Sequence, residues 1–210
     1  MITKAVTVYN TLKQMYPDAR PSLHFSNSWQ VLVATILSAQ CTDAKVNQVT
    51  PTLFKYYPLP GDLAEADIDD VIAIIYSTGF YNNKAKNIIA TAQIITHDFG
   101  GQVPDNMADL LKLRGVARKT ANIVLTDGFH IVDGIAVDTH VGRISRRLGF
   151  TVNTDSDKVE KDICTAFPKE DWGNINHLMI YFGRDICASQ RPQCIRCPFF
   201  HKECLSNGTF

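Results

Sequence analysis

At 210 residues and 23.4 kDa, with 45% hydrophobic and 20% charged residues, the chain can bury one large or two small cores, which excludes a disordered tail or a mini-protein. Its 21 Lys and Arg balance 21 Asp and Glu, so no overall basic excess announces a nucleic-acid partner. No run of eighteen apolar residues occurs, and the first ten residues lack the basic stretch and apolar core of a signal peptide, so the sequence predicts a cytoplasmic protein with no membrane partner.

Helical spacing recurs along the chain. Ile2, Val6, Tyr9, Leu12 and Tyr16 step by three and four, and Val46, Val49 and Leu53 follow a cap near Thr42 or Asp43. Ile68, Val71, Ile72 and Ile75 mark another helix, and Ala85, Ile88, Ile89 and Ala92 one that begins after Asn82 and Asn83. Gly79 and the Gly100–Gly101 pair end two of these. No stretch alternates with a period of two between hairpin signals, which predicts an all-α protein of about ten helices. The polar stretch 128–134 is the place where one domain would cross to another.

Residues 107–125 read as a helix-hairpin-helix. A short helix carrying Met107, Leu110 and Leu111 meets a turn at Gly115-Val116-Ala117, and a second helix then buries Ala121, Val124 and Leu125. A glycine turn brings backbone close to a ligand, and amides opening the second helix point at an anion, for which a phosphate diester is the natural partner. Gly115 and Ala117 supply that approach, with the charges of Arg118 and Lys119 beside it. Taken alone, the same segment also reads as a plain connection between packed helices.

Asp138 falls where an N-cap belongs, ahead of a helix that Gly149 terminates. An aspartate opposite a lysine also suits a second role: it favours a cationic sugar transition state while the lysine attacks as nucleophile. Arg143, Arg146 and Arg147 recur at three and four as a basic helix face. Of six cysteines, four crowd the C-terminal end, Cys187, Cys194, Cys197 and Cys204, spaced C-x6-C-x2-C-x6-C. A reducing compartment disfavours disulfides, and four thiolates in one loop surround either zinc or an iron–sulfur cluster. Cys41 and Cys164 lie in apolar helical contexts and read as small buried hydrophobes.

In this order, five motifs resemble the endonuclease III family: Leu37-Ser-Ala-Gln-Cys-Thr-Asp43, Thr78-Gly-Phe-Tyr-Asn-Asn-Lys-Ala85, Leu113-Arg-Gly-Val-Ala-Arg-Lys-Thr-Ala-Asn122, Val137-Asp-Thr-His140 and the four-cysteine tail. The resemblance implies a two-domain helix-hairpin-helix DNA glycosylase fold. Residues 22–132 would form a six-helix barrel, and residues 1–21 with 133–210 a helical domain holding a [4Fe-4S] cluster on Cys187, Cys194, Cys197 and Cys204. It implies a monomer acting on damaged double-stranded DNA at the nucleoid, with Lys119 and Asp138 as catalytic residues. It assigns Gln40 and Phe80 to positions that enter the duplex, and DNA contacts to Gly115, Ala117, Arg118, His140, Arg143 and Arg191. The activity implied is a base-excision DNA glycosylase and abasic-site lyase. The alternatives are a monofunctional mismatch glycosylase, which lacks the lysine, and a non-catalytic or redox-sensing iron–sulfur DNA-binding protein.

Departures from the family pattern carry expectations too. Ala117 stands where a second hairpin glycine is usual, and a positive φ there would cost on the order of 1 kcal/mol. Arg114 replaces a proline, Leu111 a glutamate and Phe80 a leucine. The charge balance is also segregated: residues 112–147 hold seven Lys and Arg against three Asp, whereas 61–70 hold five acids and no base. A neutral total therefore permits a locally basic DNA face.

Overall fold

The three-and-four spacing is realised as helix throughout. The computed structural model describes residues Ile2 to Ser206, and among them there are helices and turns but no strand. The helices are α1 (Ile2–Met15), α2 (Ser28–Leu37), α3 (Asp43–Tyr56), α4 (Pro60–Ala64), α5 (Ile68–Ile75), α6 (Tyr81–Asp98), α7 (Met107–Leu110), α8 (Arg118–Ile123), α9 (Thr139–Arg147), α10 (Ser156–Ala166) and α11 (Trp172–Asp185). None is long and apolar enough to cross a membrane.

The chain divides into two compact units, one of residues Pro21–Asp133 and one that joins the chain up to Arg20 with the chain from Gly134 onward. In the first unit α2 is apolar on nearly every side, and a helix of that kind sits at the centre of a core. Asn27 caps it by accepting from the Gln30 amide at 2.9 Å. Around it pack Leu53 of α3, Ile75 of α5, Ile88 and Ile95 of α6 and Leu110 of α7, all fully buried. Thr42 caps α3, accepting from the Lys45 amide at 3.3 Å. Helix α6 begins at Tyr81, earlier than its sequence signals suggest. Phe80 takes a left-handed conformation that turns the chain straight into the helix, so Asn82 and Asn83 lie in its first turn rather than ahead of it. Two left-handed glycines, Gly100 and Gly101, follow its end.

In the second unit α1, α9, α10 and α11 enclose Val8, Leu12, Ile144, Ile163, Met179 and Phe182. The cysteine-rich loop is anchored to this core by Phe199, which is 1% exposed and meets Phe182 edge-on with ring centroids 5.5 Å apart. Cys41 and Cys164 are each half-buried rather than enclosed, packed against the margin of the first and second core respectively.

Candidate active site

The hairpin is held from behind. Asn106 caps α7 by accepting from the Asp109 amide at 3.0 Å, and Leu110, Leu113 and Val116 anchor the turn in the core. Gly115 has φ +76°, a left-handed conformation, and a Cβ at that position would lie 3.0 Å from Asn87 Nδ2. Asn87 projects from α6, as does Thr91, whose hydroxyl donates to the Arg114 carbonyl at 2.8 Å. Both the shape and the placement of the turn are thus set by α6. Ala117 has φ −99° and ψ 171°, an extended conformation open to any residue, so its replacement of glycine brings no strain. Leu111 does not join the core; it is 44% exposed, because α7 ends a residue earlier and the chain turns it outward. Lys119 is exposed in the first turn of α8. That helix then widens into a single π turn over Val124–Gly128, and Gly128 lets it approach the backbone of α2: a Cβ there would lie 3.2 Å from Ser28 Cα.

Two further turns of the same unit present the residues assigned to the duplex. Gln40 (φ 51°) and Phe80 (φ 50°) are both left-handed, and Phe80 stays 63% exposed. Side chains in that conformation cost about 1–2 kcal/mol each, a strain that persists where a surface must be shaped. Behind Phe80, Tyr76 and Tyr81 stack with ring centroids 4.5 Å apart.

In the other unit, Asp138 caps α9: its Oδ1 accepts from the Val141 amide at 2.8 Å, so the capping reading holds. The basic face of α9 is hydrogen-bonded to backbone carbonyls. Arg143 donates through Nε and Nη2 to the Cys187 carbonyl at 3.1 and 2.9 Å, and through Nη2 to the Gly183 carbonyl at 3.3 Å. The same Nη2 lies 3.1 Å from His140 Nδ1, which must accept because a guanidinium only donates. Arg147 donates to the Ala188 carbonyl at 2.7 Å, the Ser189 carbonyl at 3.2 Å and Cys187 Sγ at 3.2 Å. The physical reason is the chain that leaves α11: the Gly183 carbonyl in its last turn and the Cys187, Ala188 and Ser189 carbonyls just beyond it take these cations. The structure therefore turns Arg143 onto the cysteine loop, with His140 as its neighbour. Burial lowers the His140 pKa, opposed by Asp138 and reinforced by Arg143 and Arg184.

The four clustered cysteines are half-buried. Burial raises the Cys194 thiol pKa, and so do the charges of Cys204 and Cys187; Cys197 is raised by burial and by the same two neighbours. Ionising all four together therefore calls for a compensating positive group. Among the described residues, no three His, Cys, Asp or Glu side chains gather about a point suited to a single metal ion. Arg191, in the loop, is exposed with φ 49°.

Gln40, Phe80, Gly115, Ala117, Arg118 and Lys119 belong to the unit Pro21–Asp133, whereas Asp138, His140, Arg143, Arg191 and the clustered cysteines belong to the other. Sequence reasoning missed Asn87, Arg147 and Gly183 as positioning residues. Gly183 carried a signal as a glycine interior to a helix, and Arg147 one only as part of a basic helix face.

Residues 33–169 match the profile of the HhH-GPD superfamily base excision DNA repair proteins. Endonuclease III of Synechocystis sp. is 48% identical over 198 residues, 94% of this chain and 90% of that protein. A solved non-covalent endonuclease III–DNA complex is similar with TM-score 0.92 and 41% identity, covering 99% of this chain and 96% of that one. A trapped endonuclease III–DNA covalent intermediate, an estranged-adenine complex, gives TM-score 0.91 and 42% identity, covering 99% and 98%.

Proposed function

The chain belongs to the HhH-GPD superfamily of base excision DNA repair proteins and, within it, to the endonuclease III family, and from that premise we propose that it is a DNA glycosylase and abasic-site lyase. Its substrates are oxidised or ring-damaged pyrimidines and abasic sites in duplex DNA, on which it acts as a monomer at the nucleoid. The observation that carries this reading is Lys119, an exposed amine in the first turn of α8 directly behind a glycine turn that α6 holds rigid. A monofunctional glycosylase needs no nucleophilic lysine there, and neither does a non-catalytic iron–sulfur protein.

The target nucleotide leaves the stack, at a cost of a few kcal/mol that damage reduces. Gln40 and Phe80 fill the gap, and Gly115, Ala117 and Arg118 hold a backbone phosphate. Lys119 attacks C1′ as the neutral amine while the C1′–base bond breaks, and the Asp138 carboxylate stabilises the oxocarbenium-like charge. The aminal nitrogen then gives up a proton as the C1′–O4′ bond opens and O4′ leaves as a hydroxyl, and from the resulting C1′ Schiff base loss of a C2′ proton expels the 3′ phosphate by β-elimination. Asp138 is oriented for this by its bond to the Val141 amide, which fixes one oxygen.

Cys187, Cys194, Cys197 and Cys204 fit a [4Fe-4S] cluster. Four thiolates would hold such a cluster without converging on a single ion, and its positive iron would offset the burial and the neighbouring thiolate charges that raise Cys194 and Cys197. Those four cysteines would hold the group and so tie down the loop that carries Arg191, and they take no part in bond cleavage. Iron and sulfide at four each per chain, with a visible absorption band, is the expected analysis of protein purified without oxygen.

Borohydride trapping on an abasic-site duplex tests the lyase. The intact protein should form a covalent adduct and Lys119→Ala none; no adduct with the intact protein, or an undiminished one in the variant, overturns the assignment.

A further inference from the structure

Lys84 is buried at 4% exposure in α6, and no step described above uses it. A lysine in a core loses the hydration of its ammonium, and burial accordingly lowers its pKa. Packing alone would favour an apolar side chain. What the ammonium does is donate to the Thr78 carbonyl at 2.9 Å. Thr78 is itself buried at 2%, and its hydroxyl donates to the Ile75 carbonyl at 2.8 Å, so the peptide ahead of Gly79 is held on both sides. The next two residues, Gly79 (φ 68°) and Phe80 (φ 50°), are consecutively left-handed, and no side chain caps the helix that follows. One buried cation therefore holds the turn that carries Phe80 from within α6.

We propose that Lys84 is a positioning residue that locks the Thr78–Phe80 turn onto α6, so that Phe80 is presented to the duplex in a fixed, strained conformation. This rests on the reading of Phe80 as the side chain that enters DNA. A cation suits the task because its bond to a neutral carbonyl in a dry site is stronger than one between neutral groups.

The test uses a duplex carrying a tetrahydrofuran abasic analogue opposite 2-aminopurine, whose fluorescence rises when it is unstacked. Phe80→Ala should lose most of the rise produced by the intact protein. Lys84→Met, which keeps the volume and removes the charge, should lose it to a similar degree and weaken binding about fivefold. The double variant should be no worse than Phe80→Ala, because the two changes act on one element. Trapping rates on duplex and single-stranded abasic DNA supply a readout that a general loss of structure would not move: their ratio should fall about fivefold in Lys84→Met. A full rise in Lys84→Met beside a lost one in Phe80→Ala overturns the role of Lys84 alone. A full rise in Phe80→Ala overturns the entry of Phe80 and this proposal with it. An unchanged duplex-to-single-strand ratio assigns Lys84 to global stability and also overturns it. Should Lys84→Met not fold, Lys84→Gln, which keeps an N–H donor without the charge, carries the same comparison.

Discussion

At Gly183, a Cβ would lie 2.5 Å from His140 Nδ1 and 2.9 Å from Arg143 Nη2. Gly183→Ala should therefore displace both side chains and destabilise the protein by about 1–3 kcal/mol, read from the urea midpoint. Gly115→Ala meets Asn87 and a positive φ together and should cost a similar amount, about 1–3 kcal/mol, whereas Ala117→Gly should bring no gain because that residue is extended. His140 adds a pH dependence. Its folded pKa lies below the ordinary value, so as pH falls the unfolded chain takes up that proton first. Its contribution is full above the ordinary histidine range near 6.5 and declines as pH falls through it. His140→Gln should flatten the denaturant-midpoint profile between about pH 7 and 5. Residue identities were the most legible layer of the sequence. Gly115 and the cap at Asp138 could be named from local chemistry, while the left-handed Gln40 and Phe80 could not, since neither residue type favours that conformation.

At the scale of elements, α9 spends its cations on backbone rather than on solvent. The sequence spacing of Arg143, Arg146 and Arg147 correctly identifies a shared face, but spacing says nothing of the carbonyls brought opposite by α11. Arg146 reaches the Asn153 carbonyl at 3.4 Å, and only Arg143 and Arg147 reach the cysteine loop. Arg147→Met should leave the Ala188 and Ser189 carbonyls unpaired and speed the loss of iron to a chelator, while Arg146→Met should not; decay of the visible band measures both. The period of the helices, their caps at Thr42 and Asp138 and their glycine stops were legible for the same reason: each depends on neighbours within one turn. Helix α6 starts three residues earlier than its sequence signals indicate, because its start is set by Phe80, a conformational choice supported from Lys84 and Thr78.

Across the whole molecule, the neutral net charge conceals a sharper restriction than segregation alone. Of the seven basic residues in 112–147, Arg143, Arg146 and Arg147 donate to backbone carbonyls and Lys112 pairs with Asp109 at 2.6 Å. Those four side chains are oriented by partners within the protein, although Lys112 stays exposed and the three arginines half-buried, and the log–log salt dependence of duplex binding should have a shallow slope, of about 3–5 in magnitude. The two units have separate cores, and they differ in how their sequence is collected. Pro21–Asp133 is continuous, whereas the other core needs α1 and α11 together. On a ribosome the continuous unit can close as soon as it emerges. Helix α1, with Ala5, Val8, Tyr9 and Leu12 awaiting cover, is made first and must wait about 10–30 s for α11 at ordinary elongation rates. That apolar stripe therefore stays uncovered during synthesis, and slowing translation after residue 133 should lengthen its exposure.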